Sequence, residues 1–318
     1  AGQTVGLSTT RKIPLTAGVY VLAGQTVGLT HGYMVGAETG AYSIAGQAVT
    51  FRTARVLSAG VGAYTVSGQA VVPTRGFVIP ASVGNYAISG QAVTLRAARV
   101  AVASAGIYSI SGQAVSPLAA RTLPAVAGAY SVAGQAVGLR LTRILGSSAG
   151  AYTLSGQAVG LTSAQGKTIT AGTGAYSISG QAVGLTVARL LTAESGVYSV
   201  AGQTVTPLSA RILPAAAGSY SISGQAVTLT AARTIAASAG SFSIAGQAVT
   251  FRAARTFTAA AGSYSISGQA VSPLAARSVS ASAGSYSLSG QAVTFSHGYV
   301  AAASAGSYSI SGQSATLK

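Results

Sequence analysis

The 318 residues include 18 Lys and Arg, two acidic residues, two His and no Cys, for a formal net charge of +16. That supply excludes disulfides and thiolate chemistry, and it leaves almost nothing from which to build an acid–base pair, a catalytic triad or a metal cage. Disorder is excluded too, because 49% of the residues are hydrophobic and only 6% charged, with Val, Ile and Tyr recurring at fixed places.

Read from the N-terminus, the pair Gly-Gln recurs with its glutamine at Gln3, Gln25, Gln47 and onward to Gln313, at a spacing of 22 residues. One interval, Gln157 to Gln181, is 24 residues. Its two extra residues fall within 162–172, where Ser163-Ala164-Gln165-Gly166-Lys167 replaces the usual Ala-Ala-Arg, so a loop is expected to absorb them. Residues 1–318 therefore read as one continuous array of about fourteen 22-residue repeats. Ala1 and Lys318 both fall inside a repeat, as they would in a segment of a longer chain.

Each copy opens on an alternation such as Tyr220-Ser221-Ile222-Ser223, the period-two signature of a strand with one buried face. After Gly224-Gln225 the alternation resumes as Ala226-Val227-Thr228-Leu229. Gly46, Gln47, Gly112, Gln113, Gly224 and Gln225 are thus candidate turn residues. A two-residue hairpin there requires positive φ at the glycine. A solenoid corner instead keeps the apolar residues pointing inward on both sides of the bend. A third short strand, Arg233-Thr234-Ile235-Ala236-Ala237, follows an Ala-Ala corner and ends at Ala-Gly before the next Tyr.

Three short strands per repeat favour an all-β solenoid. An odd number of antiparallel strands reverses direction at every copy, whereas parallel rungs repeat after every turn. Hairpin repeats in an intertwined multi-chain fibre are one alternative, and a two-strand repeat with a kinked long strand is another. At a rung separation of roughly 4.8 Å, the array predicts a rod on the order of 65 Å long. Pro73, Pro117, Pro207 and Pro273, with Pro14, Pro80, Pro124 and Pro214 in the third strand, mark expected strand ends that tolerate a missing N–H.

The expected core column includes Tyr42, Tyr64, Tyr108, Tyr220, Phe242 and Tyr264. Phe242 stands where other copies carry Tyr, so the site needs the ring rather than the hydroxyl, which favours core packing over a ligand-stacking platform. Outward positions are Ser, Thr, Ala and Gln, leaving a surface that opposes edge-to-edge association poorly. Other chains are expected to cover part of it, as in a trimeric shaft or a bundled filament.

Arg recurs eight residues after the repeat glutamine, at Arg11, Arg55, Arg99, Arg121, Arg143, Arg189, Arg211, Arg233, Arg255 and Arg277, with second arginines at Arg52, Arg96, Arg140 and Arg252. Tyr33, Phe77 and Tyr299 replace it elsewhere. Stacked rungs would set these arginines in a ladder whose neighbours, roughly 5 Å apart, repel by about 0.8 kcal/mol in water before screening. The ladder reads as a gatekeeper against aggregation, as an inter-chain contact, or as a polyanion site for an anionic cell-surface polysaccharide. Nucleic acid is disfavoured as a partner, since no recognition motif accompanies the arginines.

Glu38 and Glu194 sit in distant copies, as do His31 and His297, each in a His-Gly-Tyr string. Neither pair suits catalysis or metal binding, and no phosphate-cradling or cofactor motif is present. No apolar run reaches the length of a membrane span, and no signal peptide is visible.

The tandem Gly-x-Tyr-Ser-Ile-Ser-Gly-Gln-Ala-Val-Thr-Leu unit resembles, in style and period, the low-complexity repeats of phage tail-fibre shafts and bacterial surface fibres. In repeat length it is also similar to curli-type amyloid subunits, although it lacks their Gly-Asn and second Gln. The resemblance implies a mechanical or spacer role, an extracellular or virion-surface location, and a receptor-binding end domain elsewhere. The expectation is a non-catalytic structural fibre or filament protein whose chief partner is itself. An adhesin-like rod using its Arg edge is the alternative, and an ice-binding solenoid using the Ser-x-Ser face is disfavoured by the prolines and the insertion.

Overall fold

The computed structural model describes the chain apart from residues 1–3, 8–12, 16, 31–33, 38, 53–55, 60, 75–77, 82, 96–99, 104, 117–121, 141–143, 163–167, 187–189, 209–211, 231–233, 253–255, 275–277, 296–299 and 318. Among the described residues there is no helix, and every strand pairing is parallel. The chain forms two compact units, Ala1–Gln157 and Ala158–Lys318. Each is a β-solenoid.

In the first unit a ladder of long strands, including Ala41–Arg52, Ala63–Thr74, Asn85–Val93, Ile107–Val115 and Ala129–Arg140, pairs rung on rung. A second ladder joins short strands such as Val56–Ala59, Val78–Ala81 and Val100–Ala103. The second unit repeats the plan. Long strands from Ala175–Thr186 to Ser285–Phe295 form one ladder, and short strands from Thr168–Ala171 to Val300–Ala303 form the other. Register is set by the repeat itself, so Tyr42 pairs with Tyr64 and Ile222 with Ile244. A slip by one residue would turn the whole apolar set outward, which is why identical residues stack on themselves.

The first two expected strands are distinct in the rung Val19–Ala23 and Thr26–Thr30 and in the rung Ser307–Ser311 and Ser314–Leu317. Elsewhere they run together through Gly-Gln as one strand of up to 12 residues. The bend survives inside that strand. Pairing passes from Gly224↔Gly246 to Ala226↔Ala248 and omits Gln225, which is exposed. Leaving one residue out of the ladder switches the parity of the strand, so Tyr220 and Ile222 before the bend and Val227 and Leu229 after it are all buried.

The glycine's role at this bend differs from the one a hairpin assigns to it. Among the described glycines only Gly18 has positive φ, at 97°. At Gly46 a Cβ would lie 2.6 Å from the carbonyl oxygen of Gly24 and 3.2 Å from Cγ2 of Val27 in the preceding rung. Glycine is required here by the closeness of the next layer.

The core is one residue deep per column. Tyr, an aliphatic residue, Val and, in several rungs, Leu are buried from each long strand, as with Tyr130, Val132, Val137 and Leu139. In the first unit the rings from Tyr20 to Tyr152 stack with centroids 4.8–5.0 Å apart. In the second, the rings from Tyr176 to Tyr286 stack at 4.6–4.9 Å, with Phe242 in the same column. The rung separation dictates this parallel stacking. Each interior ring gains two aromatic neighbours, each contact contributing about 0.5–1.5 kcal/mol beyond burial.

Candidate interaction surface

The expected core residues Tyr42, Tyr64, Tyr108, Tyr220, Phe242 and Tyr264 are all 0–1% exposed. At that burial no ligand reaches these six rings, so they are packing elements. Burial pushes the hydroxyls of Tyr64, Tyr86, Tyr130 and Tyr220 well above the ordinary phenol value, and neighbouring tyrosines add to the shift. The hydroxyls of Tyr42, Tyr64, Tyr86, Tyr108, Tyr198 and Tyr220 are buried without a hydrogen-bond partner. Each such group costs stability, and Phe242 removes that cost in its own rung.

Gly46, Gln47, Gly112, Gln113, Gly224 and Gln225 mark the bend inside the long strand, with the three glutamines exposed. Gln47 and Gln113 are skipped in their ladders just as Gln225 is. The arginines expected to form a ladder, Arg55, Arg99, Arg121, Arg143, Arg189, Arg211, Arg233, Arg255 and Arg277, with Arg11, lie outside the described residues, as do His31, His297 and Glu38. Arg52 and Glu194 are described and exposed. Among the described residues no three His, Asp or Glu side chains gather to hold a metal ion, and no helix is long and apolar enough to cross a membrane.

What the structure presents outward on the tyrosine-bearing leg is uncharged. In the second unit, Ser219, Ser221 and Ser223 alternate with the buried Tyr220 and Ile222, and their in-register partners are Ser241, Ser243 and Ala245. In the first unit the corresponding positions hold Ala, Ser, Thr, Val, Asn and Ile, as in Ala63, Thr65 and Ser67.

The start of this leg forms a groove. A second glycine column, two residues before each stacked ring, provides its floor: a Cβ at Gly84 would lie 2.8 Å from the carbonyl carbon of Val61, and one at Gly240 would lie 2.9 Å from that of Gly218. Backbone hydrogen bonds close the floor. The N–H of Ala63 donates to the carbonyl of Gly40 at 3.1 Å, and that of Ser241 to the carbonyl of Gly218 at 3.0 Å. In the second unit the groove measures about 860 Å³ and is walled by Ser and Ala, with Val197 at one end. In the first it measures about 510 Å³ and is walled by Val19, Val61 and Val83. These valines are 73%, 65% and 61% exposed.

In the sequence this bend is only the Ala-Gly end of the third strand. The available signal was that a glycine precedes the residue before the ring in every copy, from Gly18 to Gly306. No family model, curated protein or solved structure matches the chain.

Proposed function

We propose that this chain is a non-catalytic structural protein of a fibre or filament, whose solenoid units associate with further copies of the chain. One observation carries the reading: the outward face of the tyrosine-bearing leg holds no charged residue, although the chain carries +16. A sheet face without charge puts no electrostatic barrier in the way of packing against another copy, whatever charge the chain carries elsewhere. The rung design supports a mechanical role as well, since every layer is stabilised by its neighbours and the same residues serve at each level.

Negative-stain electron microscopy of the purified chain, combined with sedimentation velocity across a concentration range, tests this reading. Uniform fibres, or assemblies that grow with concentration, are expected. Compact particles of monomer mass at every concentration would remove it.

A further inference from the structure

We infer that the valine-walled groove of the first unit is a contact surface for a second copy of this chain, with the two grooves meeting about a two-fold axis. The inference deepens the proposed self-association and rests on it. Val61 and Val83 occupy one column on adjacent rungs, with Val19 on the opposite wall. Isolated exposed valines are ordinary on protein surfaces, but here three of them, 61–73% exposed, line one groove.

Two features select the occupant. The first is charge: among the described residues the groove lining contains no ionisable side chain, while a chain of +16 repels its own copies over most approaches. Copies meet at least electrostatic cost where neither presents charge. The second is period. The walls repeat once per rung, at the spacing of rings 4.9–5.0 Å apart. A second copy brings the same spacing, so valines one rung apart meet gaps one rung apart along the whole groove, whereas a partner without that repeat fits at a single level.

The floor decides the type of contact. The carbonyls of Gly18, Gly40 and Gly62 already accept hydrogen bonds from the N–H groups of Ala41, Ala63 and Asn85, at 2.8, 3.1 and 3.1 Å. No strand can be added there, so the contact is made by side chains. A self-complementary apolar patch satisfies itself in an isologous dimer, in which one groove serves both copies.

The chain contains no cysteine, so a single introduced thiol reports alone. Val61→Cys and Val83→Cys in the full chain, oxidised with diamide, should give disulfide-linked dimers at least tenfold faster than Ser241→Cys in the second unit. The double variant V61K/V83K should weaken the concentration-dependent association seen by sedimentation velocity at least tenfold, with an unchanged far-ultraviolet circular dichroism spectrum, contacts elsewhere on the chain accounting for what remains. V61T/V83T, which keeps the β-branched shape, should weaken association by a smaller factor and covers the case in which the lysine variant fails to fold. If the unmodified chain associates while these variants associate equally and the thiols do not cross-link, the groove assignment falls and the fibre reading stands. If the unmodified chain is monomeric throughout, both fall. If that monomer instead binds phosphatidylcholine vesicles through Val61 and Val83, the occupant is a lipid surface and the second-copy assignment is wrong.

Discussion

The two units build the same groove with different walls. In the first, Val61 and Val83 stand on one side of the glycine column and Val19 on the other; in the second, Ala217, Ala239, Ala261, Ala283 and Ala305 take the place of Val61 and Val83, and Ser219, Ser241, Ser263, Ser285 and Ser307 take that of Val19. The floors are alike because the next rung imposes them, with glycine demanded wherever a Cβ would meet the carbonyl below. The walls face outward and stacking leaves them free to vary. What differs between the units is therefore where one should look for differences in what they touch, and what is common to them is where one should look for stability.

The largest expected effect lies in the shared core. Tyr64→Ala in the first unit and Tyr220→Ala in the second should each destabilise by about 4 kcal/mol in urea unfolding, since each removes a fully buried ring and two stacking contacts. A large effect in one unit and none in the other would break the claim that the cores are equivalent. Next come the floors: Gly62→Ala and Gly240→Ala should each cost about 2 kcal/mol, because the added methyl meets the backbone of the preceding rung.

Alkaline pH acts on both units in the same direction. Burial raises the Tyr64 and Tyr220 hydroxyls above their ordinary value of 10.0, so the folded chain keeps them neutral while the unfolded chain ionises. Stability should hold below about pH 10 and fall as pH rises beyond it, read as a declining urea midpoint. Removing the hydroxyl should help: Tyr64→Phe and Tyr220→Phe are each expected to stabilise by about 1 kcal/mol and to flatten that alkaline decline, because each deletes a buried donor without a partner. Destabilisation by either change would mean that the hydroxyl has a role in the core.

The smallest effect on stability belongs to the walls. Exchanging their chemistry at matching positions, Val61→Ala in the first unit and Ala239→Val in the second, should shift unfolding by no more than about 0.5 kcal/mol. A shift several times larger in either unit would show that the walls belong to the fold and are not free to serve contacts.

Much of this architecture could be read from residues alone. The 22-residue spacing of Gly-Gln implied stacked layers, and the substitution of Phe242 for Tyr implied a column of rings, because both depend on local pattern repeated along the chain. The bend at Gly224-Gln225 was legible as well, since Ile222 and Val227 are five apart and can both face inward only if one residue leaves the alternation. The reason for the glycine was harder to read. A hairpin and a corner place it identically in sequence, and only the position of Gly24 beneath Gly46 separates backbone freedom from lack of space. The corner groove was missed for a similar reason: Ala-Gly before each ring looks like filler until its neighbours on adjacent rungs line up.

The sequence by itself determined the period, the inward set of Tyr, aliphatic and Val residues, and the poverty of charge on the outward face, because each follows from residue type and spacing along one strand. Tertiary structure decided between three short strands and one kinked long strand with a short one, and it alone showed that the chain forms two compact units and that Val19, Val61 and Val83 share a groove. These depend on which rung lies against which, and contacts between residues 22 or more apart arise from stacking rather than from neighbours in the chain.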